Sequence, residues 1–227
     1  MGGDRRDRRK QLRDYSRGVD RPRIRPGWDI GIDVAIKATT IGLLIWAVLS
    51  PDLPQFRDKA FIGRAVAYPI ALSAIPVGWW LLGRRIRFPV AADILFGLPF
   101  LIDVLGNSFN LYDSVVWWDD ANHLVNWLLH TAAIGLLLRH GTWSGATRAA
   151  LAFGYAVTSA VVWELAEFVT FVPNSPEAAT AYEDTLLDLA LGMAGGLIGA
   201  ILSSRLALDP ARSGLASPPS AVLRDQA

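Results

Sequence analysis

Between Trp118 and His130 one largely apolar stretch carries Asp119, Asp120, Asn122, His123, Asn126 and His130. On a helix turning about 100° per residue, Asp119, Asn122, His123, Asn126 and His130 fall within a stripe about 100° wide. Two further stretches repeat the theme. WELAEF places Glu164 and Glu167 one turn apart, and EDTLLDLA places Asp184 and Asp188 four residues apart on one face. Carboxylates with one or two imidazoles and no thiolate suit hard to borderline divalent cations such as Mg²⁺, Ca²⁺, Mn²⁺, Zn²⁺ or Fe²⁺. Asp119, His123, Glu164, Glu167, Asp184 and Asp188 are therefore the candidate metal ligands. Glu164 and Glu167 are the candidate catalytic bases of a metal-assisted or general acid–base hydrolysis. Without a metal, Asp119, His123, Asn126 and His130 could instead share and pass protons.

The elements that position these residues are apolar blocks of membrane-spanning length. Apolar residues make up 52% of the 227-residue chain, and they are clumped into runs that match a hydrocarbon core of about 30 Å. Six spans are predicted, at about 30–50, 61–82, 88–106, 115–138, 147–172 and 185–206, giving an all-α polytopic membrane bundle. Pro and Gly punctuate the links, and Pro69, Pro76 and Pro99 are expected to kink spans two and three. Arginines crowd the N-terminal segment, the GRRIRF link and the link between Arg139 and Arg148, whereas VPNSPEAATAYED is acidic and NSFNLYDS has no basic residue. This alternation predicts both termini in the cytoplasm. It divides the chain into a basic tail (1–27), a transmembrane domain (28–206) and a C-terminal tail (207–227) that reads as disordered. Met1 to Pro26 lacks the apolar core of a signal peptide. The basic tail lacks interleaved aromatics, so a lipid headgroup surface fits it better than nucleic acid. With no cysteine, disulfide scaffolds, thiolate metal sites and cysteine nucleophiles are excluded.

That threading brings Asp103, Asp119, His123, Glu164, Glu167, Asp184 and Asp188 to one depth near the outer surface. Some of these acids have a plainer use. Asp113, Asp119 and Asp184 suit helix N-termini, where negative charge complements the macrodipole; Glu164 and Glu167, toward a helix C-terminus, do not. Gly192, Gly195, Gly196 and Gly199 form two overlapped G-x-x-x-G spacings and predict close helix packing. Asp33 and Lys37 are expected to neutralise each other, Asp93 to pair with Arg84 or Arg85, His130 to hydrogen bond between helices, and Tyr112, Trp117 and Trp118 to anchor at the interface.

YDSVVWWDDANH, WELAEF and EDTLLDLALGMAGG, followed by the glycine-rich last helix, together resemble the YjdF-type inner-membrane proteins of the VanZ-like superfamily over about 90–205. The resemblance implies a multi-pass protein of the bacterial inner membrane and supplies no reaction. The extra Asp120 leaves open which aspartate takes the family role. The sequence supports a cation-binding site acting on an envelope or lipid-linked substrate, with an ion-coupled transporter and a non-catalytic membrane scaffold as alternatives. The bilayer is the expected partner, and a homo-oligomer is compatible with the sequence.

Overall fold

The computed structural model describes residues 28–170 and 176–205, and it is all-helical there. The helices are α1 (Trp28–Leu49), α2 (Phe61–Leu81), α3 (Val90–Ser108), the one-turn α4 (Leu111–Ser114), α5 (Trp118–Leu138), α6 (Gly145–Thr170) and α7 (Ala181–Arg205), with a 3₁₀ turn at Pro176–Ala179. The two tails expected at 1–27 and 207–227 lie outside the described residues. Helices α1, α2, α3, α6 and α7 are long and apolar enough to cross a membrane. The fourth expected span, α5, has 21 residues like α2, but its polar seam dilutes its apolarity. That seam faces inward: Asn122, His123, Trp127, His130 and Thr131 are all buried. Pro69, Pro76 and Pro99 each sit within a continuous helix.

Large apolar side chains point out of the bundle, as a lipid-facing surface requires. Ile62, Val66 and Ile70 on α2 and Val162, Leu165 and Val169 on α6 are all exposed. Inside, a compact cluster of Leu44, Ala47, Phe56, Phe61, Tyr68 and Val104 joins α1, α2 and α3. Phe56, in the α1–α2 link, plugs that end of the bundle and stacks edge-on against Trp46 and Phe61, with ring centroids 4.8 and 5.0 Å away.

The tightest packing is between α5 and α7. A Cβ on Gly195 would lie 2.0 Å from the Leu124 carbonyl oxygen, and one on Gly199 would lie 2.5 Å from that of Leu128. Further along, Gly135 faces Ser203 just as closely. The paired positions advance together along both chains, so α5 and α7 run parallel with their backbones nearly touching. Their N-terminal turns, which carry Asp119, His123, Asp184 and Asp188, are thereby held side by side. The glycine spacing expected to serve packing does so, and it sets the position of the acidic residues as well.

In the N-terminal halves of α1 and α3 a largely buried ion triad replaces one sequence expectation. Asp33 does pair with Lys37, at 3.0 Å, but Asp93 pairs with the same lysine at 2.5 Å rather than with Arg84 or Arg85. Asp93 sits in the first turn of α3 and is almost fully buried against α1, whereas Arg84 and Arg85 are exposed in the link.

Because the obstacle to a side chain at position 195 is backbone, rotation cannot relieve it. Gly195→Ala is expected to cost about 1–3 kcal/mol as overpacking, read as a lowered unfolding midpoint in detergent. Gly154→Ala on α6, whose Cβ meets nothing within 4 Å, is expected to leave the midpoint unchanged or raise it slightly.

Candidate metal and acid–base site

Five helices bring polar side chains to one end of the bundle. The N-terminal parts of α2, α5 and α7 supply Arg64 and Tyr68, Asp119 and His123, and Asp184 and Asp188. The last turns of α3 and α6 supply Asp103 with Asn107 and Glu164 with Glu167. All of these except Asp188, which lies behind His123, line a cavity of about 580 Å³. Its mouth is polar, and its floor is aromatic, formed by Phe96, Phe100 and Trp127.

The acids divide into two classes by what satisfies them. Asp103 is fully engaged. Its Oδ2 accepts from the Tyr68 hydroxyl at 2.6 Å and from Arg64 Nε at 3.1 Å, and its Oδ1 accepts from the Tyr112 hydroxyl at 3.0 Å. Arg64 also donates through Nη1 to the Lys59 carbonyl, while Lys59 pairs with Asp113 at 2.7 Å. This is a closed network with its own cation. Tyr112 belongs to it, which corrects its reading as an interfacial anchor: α4 turns the ring back over the end of α3. Its neighbour Trp117 is exposed, and Trp118 packs over Gly106.

The second class centres on His123, which is buried along with Glu164 and Asp188. One ring nitrogen, Nδ1, lies 3.6 Å from Glu164 Oε1. The other, Nε2, lies 3.6 Å from Asp188 Oδ1 and 3.8 Å from Asp119 Oδ1. These separations are longer than hydrogen bonds. His123 Nδ1, Glu164 Oε1 and Asp188 Oδ1 are buried with no hydrogen-bond partner. The imidazole is thus flanked by two carboxylate groups. Asp119 and Asp188 form a three-residue cluster with it on one side, and Glu164 and Glu167 form one on the other, each with candidate ligand atoms within 4.8 Å. Donor atoms about 2.0–2.2 Å from a tetrahedral ion lie about 3.3–3.6 Å apart, so the spacing and the unsatisfied atoms both fit a shared cation.

Four of the six candidate ligands therefore meet at one imidazole or across it: Asp119, Glu164, Glu167 and Asp188. Asp184 is exposed at the rim of the same cavity, one turn before Asp188. Of the adjacent pair, Asp119 faces the cavity and Asp120 does not line it. His130 makes no hydrogen bond across helices at Nδ1; it is boxed by the rings of Phe96, Phe100 and Trp127 on the cavity wall. Arg64 and Tyr68 were not legible as site residues. Their signal is an arginine and a tyrosine four apart near the start of a span, where a charge demands a partner.

With this geometry in place, comparison with known proteins becomes informative. The family described as Predicted membrane protein (DUF2238) matches residues 32–208. The chain belongs to that family. No curated protein and no solved structure matches it. The family match covers every helix that supplies a residue to the cavity, and it agrees with the YjdF-type resemblance. It assigns no reaction, so function rests on the chemistry of the site.

The two classes of acid predict opposite responses to the same substitution. Asp103→Leu strands the buried Arg64 guanidinium and is expected to destabilise by about 3–5 kcal/mol. Asp188→Leu removes an unsatisfied buried oxygen and is expected to stabilise metal-free protein by about 1–3 kcal/mol. Chemical denaturation in detergent after chelation would compare the two.

Proposed function

We propose that this protein holds a divalent metal ion at His123 and acts on an envelope or lipid-linked substrate at the outer face of a bacterial inner membrane. The observation that carries the reading is the set of three buried, unpartnered atoms around one imidazole, His123 Nδ1, Glu164 Oε1 and Asp188 Oδ1. Sidedness comes from the arginine-rich links holding Arg84, Arg85 and Arg87 and Arg139 and Arg148, which lie at the other end of the bundle from the cluster, and from the basic composition of the N-terminal sequence. Placement in a bacterial inner membrane, and any relation to VanZ-like proteins of the cell envelope, rest on the sequence resemblance.

The two flanks of His123 divide the labour. Asp119, Asp188 and Nε2 would hold the ion, and Asp184 at the rim completes the negative field that attracts it. Glu164 would then accept the Nδ1 proton, fixing the tautomer in the way a carboxylate orients a metal-bound imidazole. Thr185 hydrogen bonds to the Glu164 carboxyl and steadies it. Glu167, half-buried on the cavity wall and within the field of Arg64, is free to take a proton from an attacking water as general base. When bound, the ion supplies electrophilic polarisation of the scissile group. The Arg64–Asp103–Tyr68 network holds the opposite wall rigid.

A proton- or ion-coupled transporter is the second reading. It is favoured by the line of Asn122, Asn126 and His130, which carries the polar seam of α5 down the cavity wall to the aromatic floor.

Elemental analysis of the purified protein is expected to find a stoichiometric divalent metal. His123→Ala and Asp188→Asn should abolish it, and Glu164→Gln should weaken it by about 10–100-fold, the usual cost of losing an orienting partner. Glu167→Gln should retain the metal. Metal-free protein unaffected by these substitutions would reject the cation site. A substrate-driven pH change in proteoliposomes, lost in Asp188→Asn, would establish transport instead.

A further inference from the structure

The cavity has a second opening, on its flank. Ala67 on α2 and Val162 and Ala166 on α6 all line the cavity, and all three are also exposed on the outside of the bundle. Exposure at lining residues on both helices is what an opening of the wall between α2 and α6 produces. Among the described residues, α2 packs on α1 and α3. It faces α6 across the cavity, with the rings of Tyr68 and Trp163 6.5 Å apart. Beside that ring pair the cavity is bordered by the small side chains of Ala67 and Ala71 on α2 and Ala166 on α6.

Both edges of this slot lie on helices of membrane-spanning length and apolarity. Val66 and Ile70 stand exposed beside Ala67, and Val162 and Leu165 beside Ala166, so the slot opens onto a surface suited to hydrocarbon. Behind it lies the aromatic floor. Two features of the interior point to a ligand. The cavity lies within the range of about 300–1,000 Å³ usual for small-molecule sites. His130, only 8% exposed, presents an unpartnered Nδ1 among the rings of that floor, and a buried polar atom left unpaired is costly.

We infer that the substrate is a chain-bearing amphiphile drawn sideways from the bilayer through the slot between α2 and α6. Its alkyl chain lies against Phe96, Phe100 and Trp127, and its polar head meets the cluster at His123. The slot's edges and the floor are largely apolar, so an alkyl chain lying along them is removed from water. A water-soluble substrate would need only the polar mouth, and neither an aromatic floor nor a flank breach would serve it. The headgroup's place rests on the reading of the His123 cluster given above, whereas the lateral path does not.

The test is photolabelling in vesicles of phosphatidylethanolamine and phosphatidylglycerol, using a phosphatidylethanolamine with a diazirine at the end of one acyl chain. Peptide mapping is expected to find label on Trp127 and His130, which are buried inside the bundle, as well as on lipid-facing Ile70. Ala67→Phe with Ala166→Phe should cut the interior label by about tenfold or more, equivalent to about 1.4 kcal/mol, and leave Ile70 labelled. Ala71→Phe provides an independent plug, and the Ile70 label reports that each variant is folded and inserted. Chelation or Asp188→Asn should leave interior labelling intact, so failure of the metal reading and failure of the slot give different results. Label confined to outward residues in the unsubstituted protein, or interior label indifferent to both plugs, would overturn lateral entry.

Discussion

A carboxylate inside a membrane bundle must be matched by a cation, by hydrogen bonds or by a proton, because water cannot solvate it there. Most of this structure follows from how that demand is met. Asp33 and Asp93 share Lys37, which ties α1 to α3. Asp103 takes Arg64, Tyr68 and Tyr112, which ties α3 to α2 and to the short α4. These two networks fix half of the bundle. At the cavity, Glu164 Oε1 and Asp188 Oδ1, supplied by the other half, lack a partner where Asp103 has three; Asp33 Oδ1 is also unmatched, but its other oxygen holds Lys37. The contrast separates carboxylates that build the protein from carboxylates available to do something.

The second half is organised by backbone proximity. Gly195 and Gly199 let α7 lie against Leu124 and Leu128 of α5 with no side chain between. Two parallel helices in contact place both N-termini at the same end, where the macrodipole favours the acids in their first turns. The intervening α6 must then run the opposite way and arrive with its C-terminus at that end, bringing Glu164 and Glu167 where the dipole offers them nothing. Their presence there is explained by the imidazole they face.

Much of this could be read from the chain because membrane threading is a strong constraint. Once spans and links are counted, Asp119, Glu164 and Asp188 fall at one depth whatever the packing, and their mutual approach needs only the glycine stripe. Depth does not give azimuth or partner. Nearness in sequence points Asp93 to Arg84 and Arg85, while its actual partner, Lys37, lies 56 residues away on a helix whose rotation no local pattern fixes. Arg64 was lost among apolar neighbours for the same reason. Tyr112 was read as an anchor because aromatic residues at span ends usually are; only the turn through α4 aims it inward. The polar seam of α5 was legible, since a helix that dilutes its own apolarity must turn those residues away from lipid.

What remains to be explained is why the bundle tolerates atoms it leaves unsatisfied. Each buried polar atom without a partner costs about 1–3 kcal/mol, and a whole domain is typically stable by only about 5–15 kcal/mol. Three such atoms within a few ångströms of one ring are a considerable fraction of that margin. On the opposite wall of the same cavity an acid is fully matched: Asp103 has three strong donors. A chain that satisfies one carboxylate so completely could satisfy its neighbours, and leucine at position 188 would remove the cost altogether. Retaining the unsatisfied set makes physical sense where something not encoded in the chain completes it: a cation at His123 Nε2 would take Asp188 Oδ1, and Nδ1 would then carry the proton that Glu164 Oε1 accepts. The aromatic floor beneath the cluster would then set the reach of whatever such a cation held, since it joins the polar groups at His123 to a space lined by Phe96, Phe100 and Trp127.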